Sequence, residues 1–320
     1  MRPERTRPTT MAGSIALAAL APALALAAEG TAEREPAGFE GWVARHKIPV
    51  GDAVTALVEF VKHHGAGFFD GLSVVVRGSI DAVLSVLLAI PAPALILAVA
   101  ALAWWLRRSI PLAIFVVLAL AFIINQGYWI ATLETLSLVL VAATTSTIIG
   151  VPLGIASARR PRLHAAMRPV LDLMQTLPTF VYLTPTLVLF GLGVVPGLIS
   201  TVIFALPAPI RLTHLGISSV PASIREAGEA FGATRLQLLL KVELPSAAPT
   251  IIAGITQCIM LSLSMVVIAA LVGAGGLGVP VVRALNAVQV GMGFEAGLAI
   301  VLLAVILDRM TRSTDEAGPQ

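Results

Sequence analysis

The sequence holds a single cysteine, Cys258, so no disulfide forms within the chain. Charge is also scarce: Asp, Glu, Lys and Arg make up 12% of the 320 residues, roughly half of what a soluble domain carries. With 57% hydrophobic residues and a mean hydropathy of +0.93, that scarcity excludes a soluble globular fold and leaves an integral membrane protein. Lysine is nearly absent. Lys47, Lys62 and Lys241 are all there are, and none follows a Gly-x4-Gly run, so the chain has no Walker A site for ATP hydrolysis. Gly273-Ala-Gly-Gly-Leu-Gly278 resembles a phosphate loop but lacks the Lys-Ser/Thr pair and a preceding strand. It reads as a tight extracellular turn. Aromatics are 5% and no basic patch interleaves with them, which argues against nucleic acid. No nucleophile-plus-base pair and no metal-ligand spacing occurs, so the expectation is no catalytic residue, no metal and no cofactor held by this chain. His46, His63 and His64 read as solvated surface residues, and no span carries the acidic or histidine chain of a proton relay.

What is present is apolar and long. Residues 1–28 begin with Arg2, Arg5 and Arg7, continue through an apolar stretch from Ile15 to Leu26, and offer Ala25-Leu26-Ala27 as a small-x-small site. They read as a signal peptide or a signal anchor. Residues 29–90 form an extracytoplasmic tail, with an amphipathic helix from Asp52 to Lys62. A segment from Gly71 to Ile90 carries Arg77 and Asp81 and reads as lying along the interface. Residues 91–128 hold the first two transmembrane helices, Pro91–Leu106 and Ile110–Gln126. Five more spans follow, Trp129–Ala158, Val170–Phe190, Leu198–Val220, Ala247–Val272 and Phe294–Leu307, for about seven in all. Backbone groups in lipid must be satisfied within the segment, so the fold class is all-α.

Lys and Arg set the orientation. Arg107 and Arg108, then Arg159, Arg160, Arg162 and Arg168, then Arg225, Arg235 and Lys241, then Arg309 and Arg312 fall in alternate connections, with Arg283 the exception. That pattern puts residues 221–245 and the tail 311–320 in the cytoplasm and residues 29–90 outside.

The most informative connection is 221–245. Ser223 with Glu226 has capping-box spacing, Thr234 with Gln237 repeats it, Gly232 suits a helix C-terminus, and Pro245 is placed to stop a helix. The spacing predicts two short helices joined at Gly232. Such helices do not persist alone in water, so the membrane domain or a partner protein must hold them.

Within the spans, Pro178 and Pro185 loosen one helix, and nearby threonines can satisfy the freed carbonyls. The segment reads either as a kink or as a substrate-lining break, the second giving Met174, Thr176 and Tyr182 as pathway candidates. Pro207 and Pro209, with Arg211 and His214, repeat the pattern, and Arg211 reads equally as a snorkelling charge. Glu134 and Asp172 stand near helix ends and need no function. Gly254, Gln257, Cys258, Leu261, Ser262 and Met265 share a helical face. It suits helix packing, or, with Met265 as a candidate, the pathway.

Glu226-Ala227-Gly228, three residues, Gly232, nine residues, then Val242-Glu243-Leu244-Pro245 resembles the EAA-x3-G-x9-I-x-LP signature of ABC importer permeases. Gly228 and Val242 are the departures. From about Trp129 to Met310 the chain is similar to the permeases of glycine betaine/proline betaine importers. The likeness lies in Pro169–Pro178, Ile203–Pro207, Ile210–Thr213, Leu263–Ala270, Gly275–Gly278 and Glu295–Ile300. The resemblance implies a type I ABC importer permease core over 129–310. Glu226, Ala227, Gly228, Gly232, Leu244 and Pro245 would couple to the ATPase. It further implies a pore made with a second copy of the chain in the bacterial inner membrane, and ATP with Mg in cytoplasmic ABC ATPase subunits. A substrate-binding protein completes the set and is expected to be separate, because no such domain follows before Gln320.

Overall fold

The computed structural model describes residues 49–311. The expected signal or anchor at 1–28, the tail as far as residue 48 with His46, and residues 312–320 lie outside them. The chain divides after Leu57 into two units, and the second, from Val58 onward, holds the helices that build the core.

Every regular element among the described residues is a helix, with no strand among them. The first helix, α1, runs unbroken over Val50–Ala89, where the sequence suggests a surface helix and a separate interfacial segment. By length and composition it is able to cross a membrane. Ile80 is its buried residue, clustered with Leu138, Ala142, Leu198, Ala269 and Ala274, and Phe69 meets Phe190 edge-on at 5.4 Å.

A hairpin of two shorter apolar helices follows. α2 (Ala92–Arg107) starts behind Pro91 and ends at Arg108, whose φ of 49° turns the chain and whose guanidinium lies 5.4 Å from the Trp104 ring. α3 (Ile110–Asn125) is opened by Ser109, whose side chain accepts from the Leu112 N–H at 3.4 Å. α4 covers Trp129–Arg159.

The segment read as one span from Val170 to Phe190 is two helices, α5 (Pro161–Thr176) and α6 (Thr179–Phe190), meeting at 97°. Pro178 explains the break, because it offers no N–H and holds Leu177 extended at ψ 136°. Pro185 sits inside α6 without breaking it, and the Thr186 hydroxyl donates to the carbonyls of Tyr182 (3.0 Å) and Leu183 (3.1 Å) in that turn. α7 (Val194–Ala205) and α8 (Pro207–Ser218) together make one span-length segment.

α9 (Ala222–Ala230) and α10 (Arg235–Leu238) form a second, polar hairpin. A π-turn, Leu239–Glu243, leads into α11 (Leu244–Leu271); α12 (Gly278–Asn286) and α13 (Val290–Thr311) complete the chain. Pro245 therefore does not stop a helix. It stands in the first turn of α11, directly after the π-turn, whose wider winding relieves the clash of the ring with the preceding turn. Among the described residues, five helical segments are long and apolar enough to cross a membrane, six if the bent α5–α6 pair counts as one; α2 and α3 are shorter.

The main core joins α2, α3, α4, α11 and α13 through Ala103, Val116, Ile123, Val139, Cys258, Val266 and Leu303. Gly254, Cys258, Ser262 and Met265 all face inward on α11, while Gln257 faces out. α8 lies between α4 and α11. At Gly154 of α4 the approach is close enough that a Cβ would stand 2.5 Å from the Thr213 Cβ and 2.8 Å from the Ile210 carbonyl oxygen. Small residues at this crossing are what let the backbones approach. The glycine-rich turn packs on the start of α4, where the Leu277 N–H donates to Thr135 Oγ1 at 2.8 Å.

Candidate functional site: the hairpin before α11

α9 opens at Pro221, in extended conformation and without a side-chain cap. The capping box expected of Ser223 and Glu226 is not formed, because the helix begins two residues earlier than a Ser223 cap requires and leaves Ser223 inside its first turn. The far end is built as the spacing predicts. Gly232 has φ 79°, its N–H donates to the Glu229 carbonyl (2.8 Å), and the Ala233 N–H reaches back to Gly228 (3.1 Å). Those are the paired bonds of a Schellman termination, which calls for a left-handed residue at that position. Nothing lies within 4 Å of a Cβ placed on Gly232, so backbone conformation alone selects glycine there.

Thr234 and Gln237 form the second capping box in full. The Gln237 N–H donates to Thr234 Oγ1 at 3.3 Å, and the Thr234 N–H donates to Gln237 Oε1 at 2.8 Å. Gly228 packs under the arm that follows. A Cβ there would come within 2.8 Å of Leu238 Cδ1, so this departure from the signature lets the two arms close on each other.

The two faces of the hairpin differ. Leu238 and Leu239 are buried, Leu239 against Ile217, Ala247 and Ile251. Ile224, Leu236 and Leu240 are exposed, and Phe231 at the tip is 94% exposed. Glu226, Ala227 and Glu229 of α9 are exposed as well. An apolar tip rimmed by acidic and basic side chains has the make-up of an interaction surface.

One contact that local spacing does not signal ties the hairpin to α4. Arg159 Nη2, on the last residue of α4, meets Glu243 Oε2 at 2.8 Å and also donates to the Arg235 carbonyl at 3.2 Å. Glu243 ends the π-turn with its side chain only 7% exposed. The partners stand 84 residues apart, so only opposite charge at the same end of neighbouring helices hints at the pair. At the same end, His164 of α5 stacks on His214 of α8 at 3.9 Å. Asp172 pairs with Arg211 at 2.6 Å, joining two residues that the sequence reads separately as interfacial.

Three of the four pathway candidates converge on the α5–α6 bend. Tyr182 is buried, and its hydroxyl donates to the carbonyls of Leu173 (3.4 Å) and Met174, tying one helix to the other. Thr176 donates to the Leu173 carbonyl at 3.4 Å and is exposed; Met174 is half-buried. Met265 stands apart from them, fully buried within α11.

The family described as binding-protein-dependent transport system inner membrane component matches residues 150–316. The glycine betaine transport system permease protein OpuAB of Bacillus subtilis (strain 168) is 46% identical over 267 residues, 83% of this chain and 94% of that protein. The glycine betaine/proline betaine transport system permease protein ProW of Escherichia coli (strain K12) is 45% identical over 83% of this chain and 75% of its own length. The glycine betaine/carnitine transport permease protein GbuB of Listeria monocytogenes is 42% identical over 83% and 95%. Among solved structures, an inward-facing MetNI methionine ABC transporter chain superposes with a TM-score of 0.50. It covers 54% of this chain and 88% of that one at 23% identity, a likeness of fold alone.

Proposed function

Because the chain belongs to the family of binding-protein-dependent transport system inner membrane components, we propose that it is the permease subunit of an ATP-driven importer for quaternary ammonium osmoprotectants of the glycine betaine/proline betaine type. The observation that carries this is the hairpin. A capped, glycine-jointed pair of short helices presents an apolar tip at one end of a continuous helix that runs into the membrane core.

In this reading the tip of the hairpin sits in a cytoplasmic ABC ATPase subunit, and Glu226, Ala227, Gly228, Gly232, Leu244 and Pro245 form the coupling element. ATP and Mg belong to that partner; this chain hydrolyses nothing and holds no cofactor. Closure of the ATPase pair pulls the hairpin, turns the attached helices and opens the pathway outward to a loaded extracytoplasmic binding protein. Hydrolysis then resets it. A second copy of the chain completes the pathway in the bacterial inner membrane. The positions of Lys and Arg support a cytoplasmic hairpin and C-terminus with the tail after residue 28 outside.

Selection of a quaternary ammonium takes aromatic side chains, and at 5% aromatics this chain is a poor source of a cage, which favours selection in the binding protein. Met174 and Thr176 line the pathway at the α5–α6 bend, and Tyr182 and Met265 join them in a state where those helices have moved. Transport of carnitine, choline or another small amine is the second reading, favoured by the mixed substrates in the Listeria relative's name.

The test is gentle purification from native membranes. A P-loop ATPase should accompany the chain and be lost, together with ATP-dependent uptake, when Gly232→Asp is introduced at normal membrane levels. Uptake competition by unlabelled solutes then separates the two readings. A lone oligomer that still moves solute without an ATPase would overturn both.

A further inference from the structure

Arg159 lies outside the coupling signature and Glu243 at its unspecified position, yet the pair fastens the end of α4 to the root of the hairpin. Three features make it more than a surface ion pair. The Glu243 side chain is almost fully withdrawn from solvent, whereas that of Arg159 is 35% exposed, so the carboxylate is the committed partner. The same Nη2 atom also holds the Arg235 carbonyl, so one guanidinium grips both the first residue of α10 and the last residue of the π-turn. And the π-turn is where a continuous helix is locally widened by an extra residue, a place where helices yield. Around it, Leu239 packs against Ile217 and Ala247 with Val151, Ile155 and Ala158 alongside, so the clamp closes an apolar layer on its exposed side.

We propose that Arg159 and Glu243 are the positioning residues that lock the hairpin to α4, so that a push on the hairpin tip turns α4 together with α11. Without the clamp the hairpin pivots at the π-turn. The push is absorbed there, and ATP is consumed with little movement of the pathway. The transport half of this statement rests on the importer reading; the mechanical half does not. A charge-assisted pair with one partner buried is suited to the task. It is strong enough to transmit force, and loss of Arg159 leaves the buried Glu243 carboxylate unanswered.

The experiment uses the full chain, co-expressed with its own ATPase and binding protein, in inside-out membrane vesicles. Two readouts are taken on wild type, Arg159→Glu, Glu243→Arg and the exchange of both. The first is the rate of tryptic cleavage after Arg235 and Lys241, followed by fragment mass. The second is solute transported per ATP hydrolysed. Each single reversal should speed cleavage by about fivefold, since proteolysis follows the population of the open form. Each should lower transport per ATP by about tenfold with the ATPase still bound, the size of an ordinary coupling between sites. The exchange should restore both to within about threefold of wild type. Wild-type cleavage in the single reversals, or an exchange no better than either reversal, would overturn the clamp.

Should a reversal fail to reach the membrane, Arg159→Gln with Glu243→Gln removes both charges and leaves none buried alone. That double variant should be cleaved faster while transporting poorly, and wild-type behaviour in it overturns the proposal equally. If wild-type vesicles loaded with solute and binding protein show no ATP-driven release of solute, the importer reading fails, and the cleavage rates still decide whether the clamp exists.

Discussion

The crossing of α4 with α8 and the hairpin of α9 with α10 lie close together, yet they are specified by opposite means. At the crossing, Gly154 is fixed by the absence of room, with neighbours that no side chain could displace cheaply. In the hairpin, Gly232 has open space around it and is fixed by a φ of 79°. One region is written in volumes, the other in backbone angles and caps. The first leaves no room for change, whereas the second holds its shape by backbone chemistry and leaves Phe231 exposed at its tip.

Substitutions separate the two. Gly154→Leu carries the largest expected effect, loss of the folded chain from the membrane. Gly154→Ala should already cost about 1–3 kcal/mol through overpacking, read as thermal unfolding of the detergent-purified protein. If Gly154→Ala unfolds at the wild-type temperature, the crossing is looser than its distances state.

Gly232→Ala comes next, at about 1 kcal/mol of left-handed strain, with Gly232→Asn milder because asparagine accepts that region. Thr234→Ala removes the cap from α10 and should cost about 1 kcal/mol, visible as faster hydrogen exchange in the hairpin rather than as a lower global unfolding temperature. Equal exchange in all three would mean that packing at Leu238 and Leu239, not the backbone chemistry, holds the hairpin.

Phe231→Ser inverts the pattern. With the ring 94% exposed, stability should stay within about 0.5 kcal/mol of wild type, while recovery of the ATPase falls. A drop in unfolding temperature instead would show that the tip packs within its own chain.

The smallest effect is at Tyr128, just before α4. Burial, and then the nearby Glu295 carboxylate, raise its phenol above the ordinary value of 10.0. A raised folded-state value contributes stability that is complete below pH 10 and fades as the pH climbs past that point. Ultraviolet titration of a Tyr182→Phe chain should therefore show a late transition. Glu295→Gln should move it only part of the way down, since burial is the larger cause. A transition at the free-phenol position would remove the effect altogether.

Legibility from sequence follows the same division. The Gly232 turn and the Thr234–Gln237 box are local, a few residues wide, and readable from spacing. The capping-box spacing at Ser223 misleads because Pro221, already extended, sets the helix start earlier than the serine. Pro245 misleads for a related reason. A proline forbids a hydrogen bond but not a helix, when the turn before it is widened. The 97° break at Pro178 is half legible: two prolines announce a weakness, not which of them yields. The unbroken α1 is hidden by glycines and charges that a helix tolerates when little packs on it. Arg159–Glu243 and Asp172–Arg211 depend on which helices neighbour one another, and no spacing along the chain encodes that.

From Arg235 to Leu271 the chain is one helix of 37 residues, interrupted only by the π-turn. At 1.5 Å per residue it measures about 55 Å, against about 30 Å of hydrocarbon, so well over a third of it stands proud of the bilayer. Such a mast makes the membrane its fulcrum. Its outer arm is nearly as long as the submerged one, so a tilt imposed at the foot reappears at the far end at comparable amplitude and without delay. With the π-turn braced by the Arg159–Glu243 pair, a single member is long enough to reach from one side of the bilayer to the other.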